Sequence, residues 1–191
     1  WSKIYQENER PGWEMEEPNP ALVSSIQQLK LQKCRILVPG CGSANDAAFL
    51  AKQGHHVTAI DYSGKAVERA QKKYSHVENL KIIQADFFEW AKDNKENFDL
   101  IFEHTFFCAI PPDRREECIK TYKNLLSDLG MVLGVFFIMD RKHHPPWGLT
   151  EWELRKRLQS RFDMLYWTRW KESQGFRQGV ELVVCARKKE G

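Results

Sequence analysis

Short apolar runs alternate with amphipathic stretches along most of the chain, and the two periods separate cleanly. Arg35-Ile36-Leu37-Val38 reads as a buried strand, Pro39 to Ser43 as a turn, and Ala44 to Gln53 as a helix closed by Gly54. His56-Val57-Thr58-Ala59-Ile60 is a second β-branched run that ends at Asp61. Ser63 can cap the helix that follows, which carries Ala66, Val67 and Ala70 on one face. Leu80-Lys81-Ile82-Ile83 and Phe98-Asp99-Leu100-Ile101-Phe102 predict a third and a fourth strand. Pro111-Pro112 opens a helix expected to reach about Leu129, where Gly130 stops it. Met131 to Ile138 is long and apolar, as a central strand covered on both faces should be. Thr150-Glu151-Trp152-Glu153 is a capping box, and Phe162 to Trp170 and Val180 to Ala186 read as two closing strands.

Repeated β-α units call for strands that run parallel and are wrapped by helices. The expected fold is therefore α/β: a Rossmann-like three-layer sandwich whose seven-stranded sheet is mostly parallel and ends in an antiparallel C-terminal hairpin. With 191 residues the chain is expected to form a single domain, with its core in 34–191 and an N-terminal segment and helix in 1–30. Composition narrows the partners. A net charge of +3, with Lys and Arg scattered among Asp and Glu, gives no stripe to follow a phosphate backbone, so no nucleic-acid partner is expected. No apolar run is long enough to cross a bilayer, so no membrane role is expected either. Cys34, Cys41, Cys108, Cys118 and Cys185 are odd in number and lack metal-ligand spacing, which suits reduced thiols in a cytoplasmic protein; a monomer is expected. The chain opens at Trp1, not Met, so a trimmed upstream segment is expected.

In open α/β sheets ligands bind beyond the carboxyl ends of the strands, which directs attention to the residues just after each strand. Gly40-Cys41-Gly42-Ser43-Ala44-Asn45-Asp46 follows the first strand, and its two glycines let the backbone approach a ligand closely. The third glycine of the dinucleotide fingerprint is Asn45 here, which argues against a pyrophosphate. Asp61 is placed to accept both hydroxyls of an adenosine ribose or else to cap the Ser63 helix; beside the glycine turn, the ribose role is favoured. Asp86 either accepts from an adenine amino group, with Phe87 packed on the ring, or is an exposed loop acid, and the residues alone leave these even. The fourth strand brings Glu103 and His104 to the same rim, facing the acceptor or the aminoacyl end of the cofactor. Cys41 and Cys108 read as small packing residues ahead of catalytic thiols, and His143-His144 as a loop ahead of a metal site.

A wider set of motifs resembles the thiopurine S-methyltransferase superfamily and, within it, the thiol and halide methyltransferases. It runs through Trp1-x-x-x-Tyr5, Pro11-Gly12-Trp13-Glu14, Pro18-Asn19-Pro20-Ala21-Leu22-Val23, Val38 to Asp46, Gly54 to Asp61, Asp86-Phe87-Phe88-Glu89-Trp90 and Phe98 to Ile110, with Pro112 and Arg114 after it. The resemblance implies an S-adenosylmethionine-dependent methyltransferase that releases S-adenosylhomocysteine. Trp1, Tyr5 and Trp13 would fold over the donor as a lid. Gly40 and Gly42 would meet its methionine part, Asp61 and Tyr62 the ribose side, and Asp86 with Phe87 the adenine. Glu103 and His104 would face cofactor or acceptor. Family members have Trp where Tyr5 stands, Arg where His104 stands, and Gly-Pro-Pro where His144-Pro145-Pro146 stands. These differences fall on the acceptor side, leaving donor binding intact and the acceptor open. A small thiol, sulfide, halide or thiopurine sulfur is expected, and soft anions of this kind need alignment more than a strong base. If the acceptor carries a proton, Glu103, His104 or Cys108 would take it or position it. The alternatives are methylation of oxygen or nitrogen, a nicotinamide-dependent reductase disfavoured by Asn45, and a cofactor-binding module without turnover.

Overall fold

The computed structural model describes residues 11–141, 145–173 and 175–190; Trp1, Tyr5, His143 and His144 fall outside them. The chain forms two compact units, 1–95 and 96–191.

The first unit begins with α1 (Pro20–Leu29), whose start is set by Asn19: its side-chain oxygen accepts from the Ala21 amide at 2.8 Å, and Pro20 supplies a preset φ at the first turn. β1 (Arg35–Pro39), β2 (His56–Asp61) and β3 (Leu80–Gln84) run parallel in the order β3-β2-β1, with Pro39 opposite Ile60 and Asp61 opposite Gln84. Ile36, Leu37, Val57, Ala59 and Ile60 are almost wholly buried, each larger one contributing about 1.5–3 kcal/mol of burial. Between β1 and β2 lies α2 (Asn45–Lys52), whose Ala47, Ala48 and Ala51 let the helix approach β2 closely. After β2 comes α3 (Gly64–Tyr74), capped by Ser63 Oγ and burying Ala66, Val67 and Ala70, the face that the spacing predicts. A further helix, α4 (Phe87–Asp93), follows β3.

In the second unit β4 (Phe98–His104) and β5 (Leu126–Phe137) are parallel, and β7 (Glu181–Lys188) runs antiparallel to both β5 and β6 (Phe162–Arg169), in the order β4-β5-β7-β6. The α/β architecture is thus the expected one: Rossmann-like, mostly parallel among its seven strands, and closed by an antiparallel C-terminal hairpin. α5 (Arg115–Leu125) buries Cys118, Ile119, Tyr122 and Leu125. α6 (Glu151–Gln159) starts at the predicted capping box, with Thr150 Oγ1 accepting from the Glu153 amide at 3.1 Å. Arg115, 1% exposed, joins the two helices: one guanidinium nitrogen donates to both Glu153 oxygens at 3.2 Å, and the other to the Trp147 carbonyl at 3.4 Å.

One boundary differs from the sequence reading. The helix expected to reach Leu129 stops at Leu125, and β5 begins at Leu126, which pairs with Phe98. Leu126 is buried at the start of the strand, and its carbonyl accepts from Lys188 Nζ at 2.7 Å. Strand pairing thereby outweighs the helical propensity of the 126–129 stretch.

Candidate functional site

The turn after β1 is built from left-handed residues: Gly40 has φ 61°, Gly42 φ 51° and Ala44 φ 57°. The glycines adopt this at little cost, whereas Ala44 carries a penalty of about 1–2 kcal/mol that the surrounding bonds must offset. The Cys41 amide donates to the Ile60 carbonyl at 3.0 Å, and the Ala44 amide to the Cys41 carbonyl at 2.8 Å. Asp61 completes the lock. Its Oδ2 accepts from the Gly42 amide and its Oδ1 from the Ser63 amide, both at 2.8 Å. One carboxylate therefore ties the glycine turn to the end of β2 and opens α3. Both roles weighed for Asp61 rest on compatible geometry, because each oxygen keeps a further lone pair for a hydroxyl. Burial pushes the Asp61 carboxyl up, and its two amide donors oppose that shift. The Cys41 thiol is pushed well up by burial and by the nearby Asp61 charge, so it stays protonated. Tyr62 stands 64% exposed beside Asp61, a flat surface open to a ligand.

Asp86 is neither a loop acid nor free of local duties. It is the N-cap of α4, and its Oδ1 accepts from the Phe88 amide at 2.9 Å and the Glu89 amide at 3.1 Å. Phe87 is enclosed, its ring edge-on to Phe88 with centroids 5.3 Å apart.

Asn45, read from sequence only as a missing glycine, is a hub. Its Nδ2 donates to the Met15 carbonyl and, at 3.1 Å, to Ser43 Oγ. Its Oδ1 accepts from Lys73 Nζ at 2.8 Å and from the Tyr74 hydroxyl at 2.5 Å. Asp46 adds a bond from the Asn19 amide at 2.7 Å. The start of α2 thereby holds the 15–19 segment, which follows the half-buried Trp13, against the glycine turn.

The second unit places Glu103 and His104 at the end of β4, with contrasting surroundings. Glu103 is 0% exposed; its Oε1 accepts from the Phe107 amide at 2.7 Å, and Oε2 is buried without a hydrogen-bond partner. Burial raises its carboxyl to about 8 despite amide bonds from Phe107 and Phe106. An enclosed group of this kind holds the 103–107 turn. Cys108, buried behind that turn, is raised to about 12 by burial, with Glu103 adding to the effect. His104 is half-buried, and its Nε2 lies 3.0 Å from a guanidinium nitrogen of Arg177. A guanidinium only donates, so in this arrangement Nε2 accepts and the ring proton sits on Nδ1. The same Arg177 nitrogen donates to Glu181 Oε1 at 3.0 Å, and Ser173 Oγ donates to Glu181 Oε2 at 2.5 Å. Arg177 packs over Phe137 and Phe176, with its guanidinium carbon 5.1 Å and 5.5 Å from the ring centres. Arg177 and Glu181 were missed in the sequence because only the pairing of Phe137 with Glu181 brings them to the β4–β5 rim.

Thr105, next to His104, has φ 62°, a rare conformation for a β-branched residue. Thr105→Gly is expected to raise stability by about 1 kcal/mol in urea denaturation, the relieved strain exceeding the added freedom of the unfolded chain. A loss of stability would show that the threonine side chain makes contacts worth more than the strain.

Among the described residues no cluster of three His, Cys, Asp or Glu is placed to hold a metal, and no helix is long and apolar enough to cross a membrane.

Comparison with known proteins bears on this geometry. The family model for thiopurine S-methyltransferase matches residues 1–178. A probable thiol methyltransferase 2 from Arabidopsis thaliana is 35% identical over 160 residues, covering 82% of this chain and 70% of that protein. Thiocyanate methyltransferase 1 from Brassica oleracea is 32% identical over 151 residues, 77% of this chain and 66% of that one, so the match spans just under two thirds of its length. In fold, the chain is similar to 1,6-didemethyltoxoflavin-N1-methyltransferase from Burkholderia thailandensis, solved with bound 1,6-didemethyltoxoflavin and S-adenosylhomocysteine. That match has a TM-score of 0.77 and 22% identity, over 98% of this chain and 85% of that one.

Proposed function

Since the chain belongs to the thiopurine S-methyltransferase family and is an S-adenosylmethionine-dependent methyltransferase, we propose that it methylates a small, soft sulfur or halide nucleophile that arrives as an anion. The names of the plant relatives support a sulfur acceptor. The observation that carries the anionic part is the Arg177–His104 contact: Arg177, its charge shared with Glu181, fixes His104 as an Nδ1–H donor, and such a donor favours an electron-rich, negatively charged partner.

The donor set of the first unit fits the cofactor. A glycine turn offers backbone approach and amide donors to a carboxylate, and Asp61, already fixed by two amides, offers oxygens to vicinal hydroxyls. S-Adenosylmethionine supplies a methyl group activated by its positively charged sulfur. In this reading Gly40 and Gly42 receive the amino-acid end, Asp61 the ribose, and Tyr62 covers the ribose side. Asp86 takes the adenine amino group with the acceptor capacity left after capping α4, and Phe87 supports that wall from beneath. Trp13, with Trp1 and Tyr5, closes over the donor. His104 holds the acceptor by donating from Nδ1, with Arg177 fixing that tautomer. No group needs to withdraw a proton from an acceptor that is already an anion. Glu103 serves by fixing the turn that carries His104. Small residues and a single glycine turn suit one methyltransferase domain, and five free thiols support a reducing, cytoplasmic setting; a monomer is proposed, to be checked by size exclusion.

Calorimetric titration with S-adenosylmethionine, S-adenosylhomocysteine and NADH tests the donor, and a methylation screen over thiols, hydrosulfide, halides and thiopurines tests the acceptor. Micromolar adenosyl binding, no NADH binding and turnover on a sulfur or halide anion are the expected results. Turnover confined to oxygen or nitrogen acceptors would overturn the acceptor reading.

A further inference from the structure

At the amino ends of β1 and β2, the end of the strands opposite the glycine turn, Cys34 and His55 stand side by side. The Cys34 backbone amide lies 3.3 Å from His55 Nδ1, and Cys34 Sγ lies 3.4 Å from the same nitrogen. The His56 amide closes the pair by donating to the Cys34 carbonyl at 3.0 Å. A backbone N–H can only donate, so Nδ1 carries its lone pair and the ring proton sits on Nε2. The thiol is then the donor in the Sγ–Nδ1 contact. His55 is 3% exposed, and burial lowers its basicity, which keeps the ring neutral and able to accept.

Cys34 differs from three of the other thiols in access, and from Cys41 in the charge beside it. Cys108, Cys118 and Cys185 are buried, and burial raises all three thiols. Cys41 is also held well up, by burial and by Asp61. Cys34, partly exposed as Cys41 is, lies between the exposed Lys33 and Arg35 and not beside a carboxylate-bearing residue of the turn. Lys33 lies across the residue next to His55: a Cβ at Gly54 would meet its Cε at 2.9 Å and its Nζ at 3.5 Å. A thiol with a hydrogen-bonded imidazole and flanking cations combines the features that make cysteine a nucleophile.

We propose that Cys34 and His55 form a base-assisted thiol site that takes up small anionic disulfides. The thiol proton passes to His55 Nδ1 as Cys34 Sγ attacks one sulfur of the disulfide. A new S–S bond forms at Cys34, the reagent's S–S bond breaks, and the leaving thiolate receives the proton. Cys34 is oxidised and the departing sulfur is reduced, so the exchange balances with the disulfide as its only co-reactant. Five residues of strand, roughly 16 Å at about 3.3 Å each, separate the pair from the glycine turn, so uptake at Cys34 leaves cofactor binding in place.

The test uses the full chain, oxidised glutathione as the anionic probe and cystamine as the cationic one, with adducts located by peptide mass mapping. A single adduct at Cys34 is expected, formed at least about tenfold faster than at Cys41. Glutathione disulfide is expected to react faster than cystamine, and Lys33→Gln, at an exposed position, to remove that preference. His55→Asn should slow the reaction about tenfold. If burial of that position prevents folding, the Lys33→Gln result and the mapping in the unaltered chain still decide. Cys34→Ser should abolish the adduct and leave S-adenosylhomocysteine affinity within about twofold. Adducts spread evenly over the cysteines, first appearance at Cys41, or equal rates for the two probes would overturn the proposal.

Discussion

Asp61→Ala is expected to weaken S-adenosylhomocysteine binding by about a hundredfold or more in calorimetric titration, the largest single effect at the donor site. Hydrogen bonds to a charged acceptor contribute about 1.5–3 kcal/mol each, and this carboxylate is proposed to accept from the ribose while holding two amides. The substitution removes the ribose partner and also releases the Gly42 and Ser63 amides, whose 2.8 Å bonds shape the turn and the start of α3. Asp61→Asn separates the two duties. An amide keeps one acceptor oxygen but presents its NH2 to one of those N–H groups, so an intermediate loss is expected. Affinity within about threefold of the unaltered chain for Asp61→Ala would leave Asp61 a turn-forming residue and move ribose recognition elsewhere.

The second large effect concerns pH. Glu103 has its carboxyl raised from 4.5 to about 8 by burial. Between those values the folded chain holds a proton that the unfolded chain has released, so stability falls as pH rises from about 4.5 to about 8 and levels off above. The full penalty is on the order of several kcal/mol at about 1.4 kcal/mol for each tenfold change. Glu103→Gln cannot ionise and keeps a carbonyl to accept from the Phe107 amide. Its thermal midpoint should match that of the unaltered chain near pH 4 and stand higher by roughly 5 °C or more at pH 8, at about 2–4 °C per kcal/mol. Parallel midpoints across that range would show that the Glu103 proton leaves as easily in the fold as in the open chain. Methyl transfer by Glu103→Gln, expected to persist near neutral pH, separates a residue that fixes the turn from one that takes a proton.

Where sequence reading succeeded, the signal was local. The Gly42–Asp61 relation follows from one strand-turn-helix-strand unit, and the Ser63 and Thr150 caps from single side chains that bond to amides three residues on. Asp86 carries a local signal beyond its place on the rim: Asp86-Phe87-Phe88-Glu89 has the spacing of a helix start, and the structure forms α4 there. The boundary at Leu125–Leu126 was beyond local reading, because nothing in Leu126-Ser127-Asp128-Leu129 stops a helix before Gly130, and the strand begins only where Phe98 pairs with Leu126. Arg177 lies 73 residues from His104, and no period in the sequence links them. Asn45 was legible only as a departure, since its four partners come from Met15, Ser43, Lys73 and Tyr74.

Those four partners bear on how such a site can change over evolution. A lone asparagine in place of the fingerprint glycine would be one codon from a dinucleotide site. This one is held from four sides, so trading it for glycine takes a partner from the partly buried Tyr74 hydroxyl and from the Met15 carbonyl together and returns Lys73 to water, while gaining only the room of a missing side chain. Drift toward a pyrophosphate ligand would therefore have to pass through variants worse at both tasks. The choice between two ancient ligands is kept in a polar knot beside the turn, and reversing it takes several coordinated changes.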